Sequence, residues 1–190
     1  GLIVWSWFQS SLIVATAVVV DNDGLISRPG FPASILPVVP VTTNLIHFLL
    51  ALPIVLLLLF ANGVILSPGA LLTLPLLVAL QFVFTLGLAY LLSAMHVTFR
   101  DTQYLLGIVL MLGFYLTPVF YDSSAVPERF RAIYGLNPMS PLIEGYREVL
   151  LHARAPEGGP LLLLALFSLL LVGAAHRHFL RQSTRFAEEL

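Results

Sequence analysis

Residues 35–61 read ILPVVPVTTNLIHFLLALPIVLLLLFA and carry no charged side chain. A bilayer core is crossed by about 20 consecutive, mostly apolar residues in a helix, so this stretch is long enough to span one. Pro37, Pro40 and Pro53 would weaken a soluble helix. Inside a membrane bundle, neighbouring helices and hydroxyl side chains re-satisfy the backbone groups that proline frees. Asn44 and His47 lie three apart, on one helical face. Intramembrane polar groups are functional candidates, but bonding to a neighbouring helix is the simpler expectation for these two.

Working outward, four more segments are apolar enough to join it: roughly 2–20, 70–95, 104–121 and 160–176. The composition agrees, with 58% of the 190 residues hydrophobic and 10% charged, where soluble domains carry about 25% charged residues. The expected fold class is therefore all-α, a polytopic membrane helix bundle of about five transmembrane helices in a single transmembrane domain, 1–190. Gly1 opens directly inside an apolar run with no basic stretch before it. That is unlike a signal peptide and reads as a fragment lacking its N-terminal part. With no cysteine, disulfides, thiolate nucleophiles and cysteine metal sites are excluded. His176 and His178 are two apart and do not share a helical face, so no metal site is expected.

The connections are polar: DNDGLISRPGFP (21–32), ANGVILSPGA (61–70), HVTFRDTQ (96–103), the long segment 122–159 and the tail from 176. Arginines divide five to four between the two sides, a weak positive-inside preference for a cytoplasmic tail. Arg177, Arg181 and Arg185 recur every four residues and form one basic helical face. That face suits anionic head groups, an acidic protein patch, or plain solvation. Trp5, Trp7, Phe8, Phe114, Tyr115, Phe120, Tyr121 and Tyr146 fall near span ends or in 122–159, where interfacial aromatic belts account for most such residues.

Within the long segment, residues 136–151 read LNPMSPLIEGYREVLL. Ser140-Pro141 is a good helix start, a hydroxyl N-cap with proline at the first helical position. Leu142, Ile143, Tyr146, Val149 and Leu150 then share one face. Glu144, Arg147 and Glu148 take the other, with Glu144 and Arg147 spaced to pair. VPERFRAIYGL (126–136) repeats the design, so two short amphipathic helices are expected, lying in the interface or dipping into the membrane.

These marks, in this order, resemble ABC-2-type transporter permeases of the branch that exports polysaccharides or teichoic acids. They are Phe99-Arg100-Asp101, Thr117-Pro118-Val119-Phe120-Tyr121, Val126-Pro127, Asn137-Pro138 and Glu144-Gly145-Tyr146-Arg147. LISRPGFPASILP (25–37) and the ending RFAEEL match the same pattern, so the resemblance covers essentially the whole chain.

The resemblance implies about six spans in the family, with this fragment beginning inside the second. It implies that 21–34, 96–103 and the tail are cytoplasmic and that 122–159 faces outward. Asp21, Asn22, Asp23 and Arg28 would form the main element coupled to a separate ATPase subunit, and Phe99, Arg100 and Asp101 a second one. Phe114, Tyr115, Phe120, Tyr121 and Tyr146 would line the substrate path. Pro127, Asn137, Pro138, Glu144 and Arg147 would build a re-entrant helix pair at its exit. The expected assembly is a homodimer in the bacterial cytoplasmic membrane, moving a lipid-linked polysaccharide and lacking any nucleic-acid partner. No cofactor is expected in this chain, because ATP and magnesium would sit on the partner.

The sequence has no GxxxxGK[ST], so no P-loop, and no GxSxG or HExxH. Two further readings remain open. One is a drug or lipid exporter of the same family. The other is a membrane-embedded glycosyl- or acyltransferase using Asp122, Glu128, Glu144, Glu148 or Glu157. A proton-coupled carrier is disfavoured, since the spans hold no clear Asp, Glu or Arg.

Overall fold

The computed structural model of the chain describes residues 1–26, 28, 30–64, 67–120, 135, 137–184 and 186. Among these, all regular structure is helical. The order is α1 (Leu2–Ala17), a 3-10 turn (Val20–Asn22) running into α2 (Asp23–Ile26), a 3-10 turn (Ala33–Ile35), α3 (Val38–Ala61), α4 (Pro68–Leu71) and α5 (Leu74–Thr98). It continues with α6 (Thr102–Leu116), α7 (Met139–Leu150) and α8 (Gly158–Ser183).

Three stretches are long and apolar enough to cross a membrane: Ala33–Ala61, Pro68–Thr98 and Gly158–Ser183. A fourth passes if α1 is taken with Val20–Ile26, across a 53° bend. The expected fifth span, 104–121, is realised among the described residues as α6 alone, 15 residues long. At 1.5 Å per residue that is about 22 Å, short of a hydrocarbon core of about 30 Å. The helix stops because Thr117 is extended, at φ −101° and ψ 142°, as proline at 118 demands of the residue before it. Thr117 Oγ1 turns back to donate to the Gly113 carbonyl at 2.6 Å.

α3 ends at Asn62-Gly63, inside the connection 61–70. Gly63 takes φ +76°, a left-handed conformation open to a residue without Cβ. The Val64 amide donates to Leu59 O at 3.1 Å and the Gly63 amide to Phe60 O at 3.0 Å, the paired bonds of a Schellman stop.

α5 is the centre of the bundle. It packs against α8 along its length and also touches α1, α3, α6 and α7, while α1 lies against α3 and α6. One core joins α1, α3, α5, α7 and the first half of α8, through residues such as Leu12, Leu77, Phe84, Leu142 and Leu161. A second, separate core at the other end gathers Val19, Leu36, Tyr90, Val97, Ala175, Phe179 and Phe186. The outer faces of α3, α6 and α8 expose Leu50, Leu57, Phe60, Val109, Leu163 and Leu170. That is what a bundle with lipid as its solvent requires.

The aromatics of α1 correct the expectation of an interfacial belt. Trp5, Trp7 and Phe8 are buried. Trp7 stacks on Phe48 at 5.0 Å, Phe8 on Phe84 at 5.8 Å, and Trp5 tilts against Phe114 at 5.8 Å. Hydropathy marks such rings as membrane-compatible, but it does not distinguish a lipid-facing ring from one held between helices.

Gln81 ties α5 to α1, its Nε2 donating to Val4 O at 2.9 Å, while its buried Oε1 has no partner. Hydrogen bonds between transmembrane helices average about 0.6 kcal/mol, and an unpaired buried oxygen offsets that gain. Gln81→Met keeps the volume and removes both effects. It should leave the stability of the detergent-solubilised protein, read from its thermal unfolding, within about 1 kcal/mol of the parent, whereas Gln81→Ala, leaving a void, should lose about 2 kcal/mol or more.

Candidate functional site

The residues expected to couple to an ATPase come from two connections that the fold brings to the same end of the bundle. Asp21 and Asn22 lie in the 3-10 turn after α1, and Asp23 opens α2. Asn22 Nδ2 donates to Val18 O at 2.8 Å, and Asp23 Oδ1 accepts the Gly24 amide, which keeps this segment wound at the bend. Asp21, Asp23 and Arg28 are exposed, as are Phe99, Arg100 and Asp101. The turn at 99–101 is built by Phe99 O, which accepts both the amide and the hydroxyl of Thr102, at 3.0 and 2.6 Å. His96, buried just before that turn, feels the charges of both Asp21 and Arg100. The two connections are therefore neighbours, which nothing in their sequence spacing reveals.

The second core explains why. Val20, Leu25, Ile26 and Phe31 pack against the core that holds Val97, Ala175 and Phe179. Tyr90 sits in the middle, its hydroxyl donating to Ser34 O at 3.0 Å. Its ring meets His176 at 4.8 Å and Phe179 at 5.5 Å, both edge-on. Phe186 then closes on Phe179 at 5.2 Å. Of the basic tail face, Arg177 and Arg181 are exposed, and Arg185 lies outside the described residues.

Tyr90 thus binds the 20–38 connection to α5 and α8 together. Tyr90→Phe removes one hydrogen bond, worth about 1 kcal/mol. It should speed hydrogen exchange at the amides of Phe31, Ile35 and Leu36 by about fivefold, and unchanged exchange would remove Tyr90 from this role.

At the opposite end, α7 seats the apolar face that the sequence predicts. Leu142, Ile143, Tyr146 and Val149 are fully enclosed, against α4, α5 and α8. Gly145 lets Leu77 approach, where a Cβ would lie 2.9 Å from Leu77 Cδ2. The helix begins earlier than Ser140. Its first residue is Met139, whose amide is accepted by Asn137 Oδ1 at 3.0 Å, and the Ser140 hydroxyl is buried without a partner. Asn137, two residues ahead of Met139, therefore does the capping.

Asn137 and Arg147 also hold the end of α6. Asn137 Nδ2 donates to Thr117 Oγ1 at 2.8 Å, and Arg147 Nη2 to Pro118 O at 2.9 Å. Pro138 and Glu144 are half-buried beside them. An open polar hollow of about 410 Å³ follows, edged by Glu144, Arg147, Glu148, Arg154 and Glu157. Pro127 and the first of the two expected short helices lie outside the described residues.

Of the residues expected on a substrate path, Phe114 is half-buried, with Tyr115 at 5.7 Å, Phe120 at 5.4 Å and Trp5 behind it. Tyr115 and Phe120 are each 72% exposed. Tyr121 lies outside the described residues. Tyr146 is 1% exposed, its ring edge on Phe48 at 5.8 Å, so within this chain it offers no open ring face. Burial in this apolar setting pushes its phenol well above the usual range, and the group stays neutral.

Sequence reasoning missed one more cluster. Ser6 and Ser10 of α1 face Asn44 and His47 of α3 across a cleft of about 280 Å³. Asn44 bonds not a neighbouring helix, as expected, but its own, donating to Pro40 O at 2.9 Å. The available signal was the i, i+4 spacing of the serines in one span and the i, i+3 spacing of Asn44 and His47 in the next.

The ABC-2 type transporter family matches residues 3–151. An O-antigen export system permease protein RfbA of Myxococcus xanthus is 38% identical over 192 residues, covering 100% of this chain and 74% of its own length. A protein of the same description from Klebsiella pneumoniae is 32% identical over 191 residues, covering 100% of this chain and 73% of its own. A membrane-embedded helical bundle with its polar connections gathered at one end and a short amphipathic helix packed at the other, matched from end to end by such relatives, belongs to the ABC-2 type transporter family.

Proposed function

We propose that this chain is the membrane permease subunit of an ATP-driven exporter that moves a lipid-linked polysaccharide, of O-antigen, teichoic acid or capsule type, across the bacterial cytoplasmic membrane. The observation that carries the reading is the full-length similarity to O-antigen export permeases at 38% and 32% identity. On this reading the chain works as a homodimer with two copies of a separate ATPase subunit. ATP and magnesium are bound and used on that partner, so this subunit is not itself an enzyme.

The fold supplies a route for the work. Closure of the ATPase pair would press on Asp21, Asn22, Asp23 and Arg28 and on the adjoining Phe99-Arg100-Asp101 turn. The first is tied through Tyr90 to α5 and α8, and the second follows directly on α5. These helices run to the other end, where α5 and α8 carry α7, and α7 holds the end of α6 through Asn137 and Arg147. Closely packed helices transmit strain, so a push at one end would shift the exit-side helix and open a path past Phe114, Tyr115 and Phe120 between two copies.

The test is co-purification of the full-length protein with its ATPase. Replacement of Arg28 and of residues 21–24 should abolish both the complex and vanadate-sensitive ATP hydrolysis, and deletion of the gene should remove the surface polymer. Unchanged surface polymer after deletion would overturn the reading.

A further inference from the structure

We propose that the cleft between α1 and α3 is a water-filled sugar subsite, in which Ser6, Ser10, Asn44 and His47 hydrogen-bond the hydroxyls of a neutral sugar unit of the cargo; this rests on the exporter reading above.

The four side chains come from two helices that pack together, Ser6 and Ser10 from α1 and Asn44 and His47 from α3. His47 is the fifteenth residue of the 29-residue span Ala33–Ala61, about 21 Å along it, and so near the middle of the bilayer. Ser6 and His47 are exposed there, and among the described residues none hydrogen-bonds Ser6, Ser10 or His47. Exposed, unbonded polar groups at that depth are unfavourable in hydrocarbon and normally face a partner or a water-filled space.

Four other hydroxyl residues of the spans behave differently. Ser11, Thr16, Thr85 and Ser168 are fully buried, and each hydroxyl donates to the carbonyl four residues earlier in its own helix. Asn44 is bonded in the same way, to Pro40 O, whereas Ser6, Ser10 and His47 have no such bond among the described residues. Elsewhere around α3, Ile46, Leu50 and Leu57 are exposed and apolar, with exposed Thr43 among them.

The chemistry selects the ligand. No charged residue lines the cleft, so it has nothing to hold a phosphate or an ion. Hydroxyls, a carboxamide and an imidazole both donate and accept hydrogen bonds, which matches sugar hydroxyls that do the same. A volume near 280 Å³ holds about nine waters at their share of liquid volume, room for a single unit of a polymer in transit. The stacked Trp7 and Phe48, 5.0 Å apart, make a rigid floor beneath it.

These 190 residues hold no cysteine, so any cysteine elsewhere in the full-length protein or its ATPase is replaced first and the introduced thiol is read alone. Ser6→Cys, Ser10→Cys, Asn44→Cys and His47→Cys would be placed in the full-length protein with its ATPase in native membranes. Each would be treated with a membrane-impermeant, charged methanethiosulfonate reagent beside Leu57→Cys and Leu170→Cys, both exposed and apolar. The expected result is modification of the cleft cysteines at least tenfold faster than the two lipid-facing ones, slowed again when polymer is stalled in the transporter by vanadate. Rates equal to the lipid-facing controls would overturn the proposal. So would disulfide cross-links between copies, because the cleft would then be a seat for a helix of the partner copy. Reagent access does not depend on export. An unreactive cleft in a chain whose deletion removes surface polymer would sink the subsite alone. A reactive cleft in a chain whose deletion leaves the polymer intact would sink the exporter reading, and the sugar ligand with it.

Discussion

Gly87→Leu is expected to prevent α5 and α8 from closing and to leave little monodisperse protein in detergent. Gly87 lies in α5 where α8 comes nearest. A Cβ built there would sit 2.9 Å from Leu171 Cγ and 3.1 Å from the backbone nitrogen of Val172. Leu171 can turn aside, but the backbone of α8 moves only if the whole helix moves. Lipid is as apolar as leucine, so transmembrane helices are held by close packing, and small residues permit that approach. Over-packing a well-filled core costs about 1–3 kcal/mol. A leucine that meets backbone should exceed about 3 kcal/mol, a large part of the 5–15 kcal/mol that a folded protein typically has. Gly87→Ala should fall between leucine and the parent. Gly107→Leu is the control, because a Cβ at Gly107 meets nothing within 4 Å and the position faces outward. Thermal midpoints and size-exclusion profiles decide the matter. If Gly87→Leu behaves like Gly107→Leu, the two helices do not meet in this way.

Most of the architecture is legible in the chain, for reasons tied to single residues. The charge-free run 35–61 needs a membrane, Asn62-Gly63 stops α3, and the spacing of Leu142, Ile143, Tyr146 and Val149 marks one buried face on α7. Signals of this kind act over a few residues. The contacts that give the bundle its shape do not. Tyr90 with Ser34, Gln81 with Val4, Thr117 with Asn137 and Pro118 with Arg147 join positions 20 to 77 residues apart. In segments apolar on every side, periodicity does not say which side meets protein, and for that reason the rings of Trp5, Trp7 and Phe8 were assigned to an interface when they belong to the core. The apolar run 104–121 carries its own stop signal in Thr117-Pro118, and α6 ends there. The candidate site divides along the same line. The polar connections 21–34 and 96–103 are visible as breaks in hydropathy, but their adjacency arises from the second core and from no local motif. Tyr146 carries the aromatic signature of a path residue, yet the same helical spacing that marks α7 as amphipathic places it on the enclosed face.

Arg147→Met is expected to reduce polymer export by about tenfold or more while the protein still assembles and purifies as the parent does. Thr117 and Pro118 are buried where α6 gives way to extended chain. Arg147 Nη2 donates to Pro118 O at 2.9 Å, and Asn137 Nδ2 to Thr117 Oγ1 at 2.8 Å. The Thr117 hydroxyl in turn donates to Gly113 O at 2.6 Å, so α7 and its cap hold the end of α6 through two bonds, linked to a third inside α6. A hydrogen bond to a charged group contributes about 1.5–3 kcal/mol, which is roughly a 10- to 150-fold bias toward the docked arrangement. Methionine keeps most of the aliphatic stem that packs and removes the guanidinium. The core face of Leu142, Ile143 and Val149 is untouched, and the thermal midpoint should move less than for Gly87→Leu. Asn137→Ala loses neutral bonds and should cost about 1 kcal/mol, a smaller fall in export. If the two residues act as one clamp, the double variant should fall short of the sum of the single losses, because the second bond cannot be lost from an end already free. Surface polysaccharide measured in cells, alongside midpoints of the purified variants, reads both quantities. Parental export from Arg147→Met would mean that α6 needs no hold from α7, and would confine Arg147 to a stabilising role.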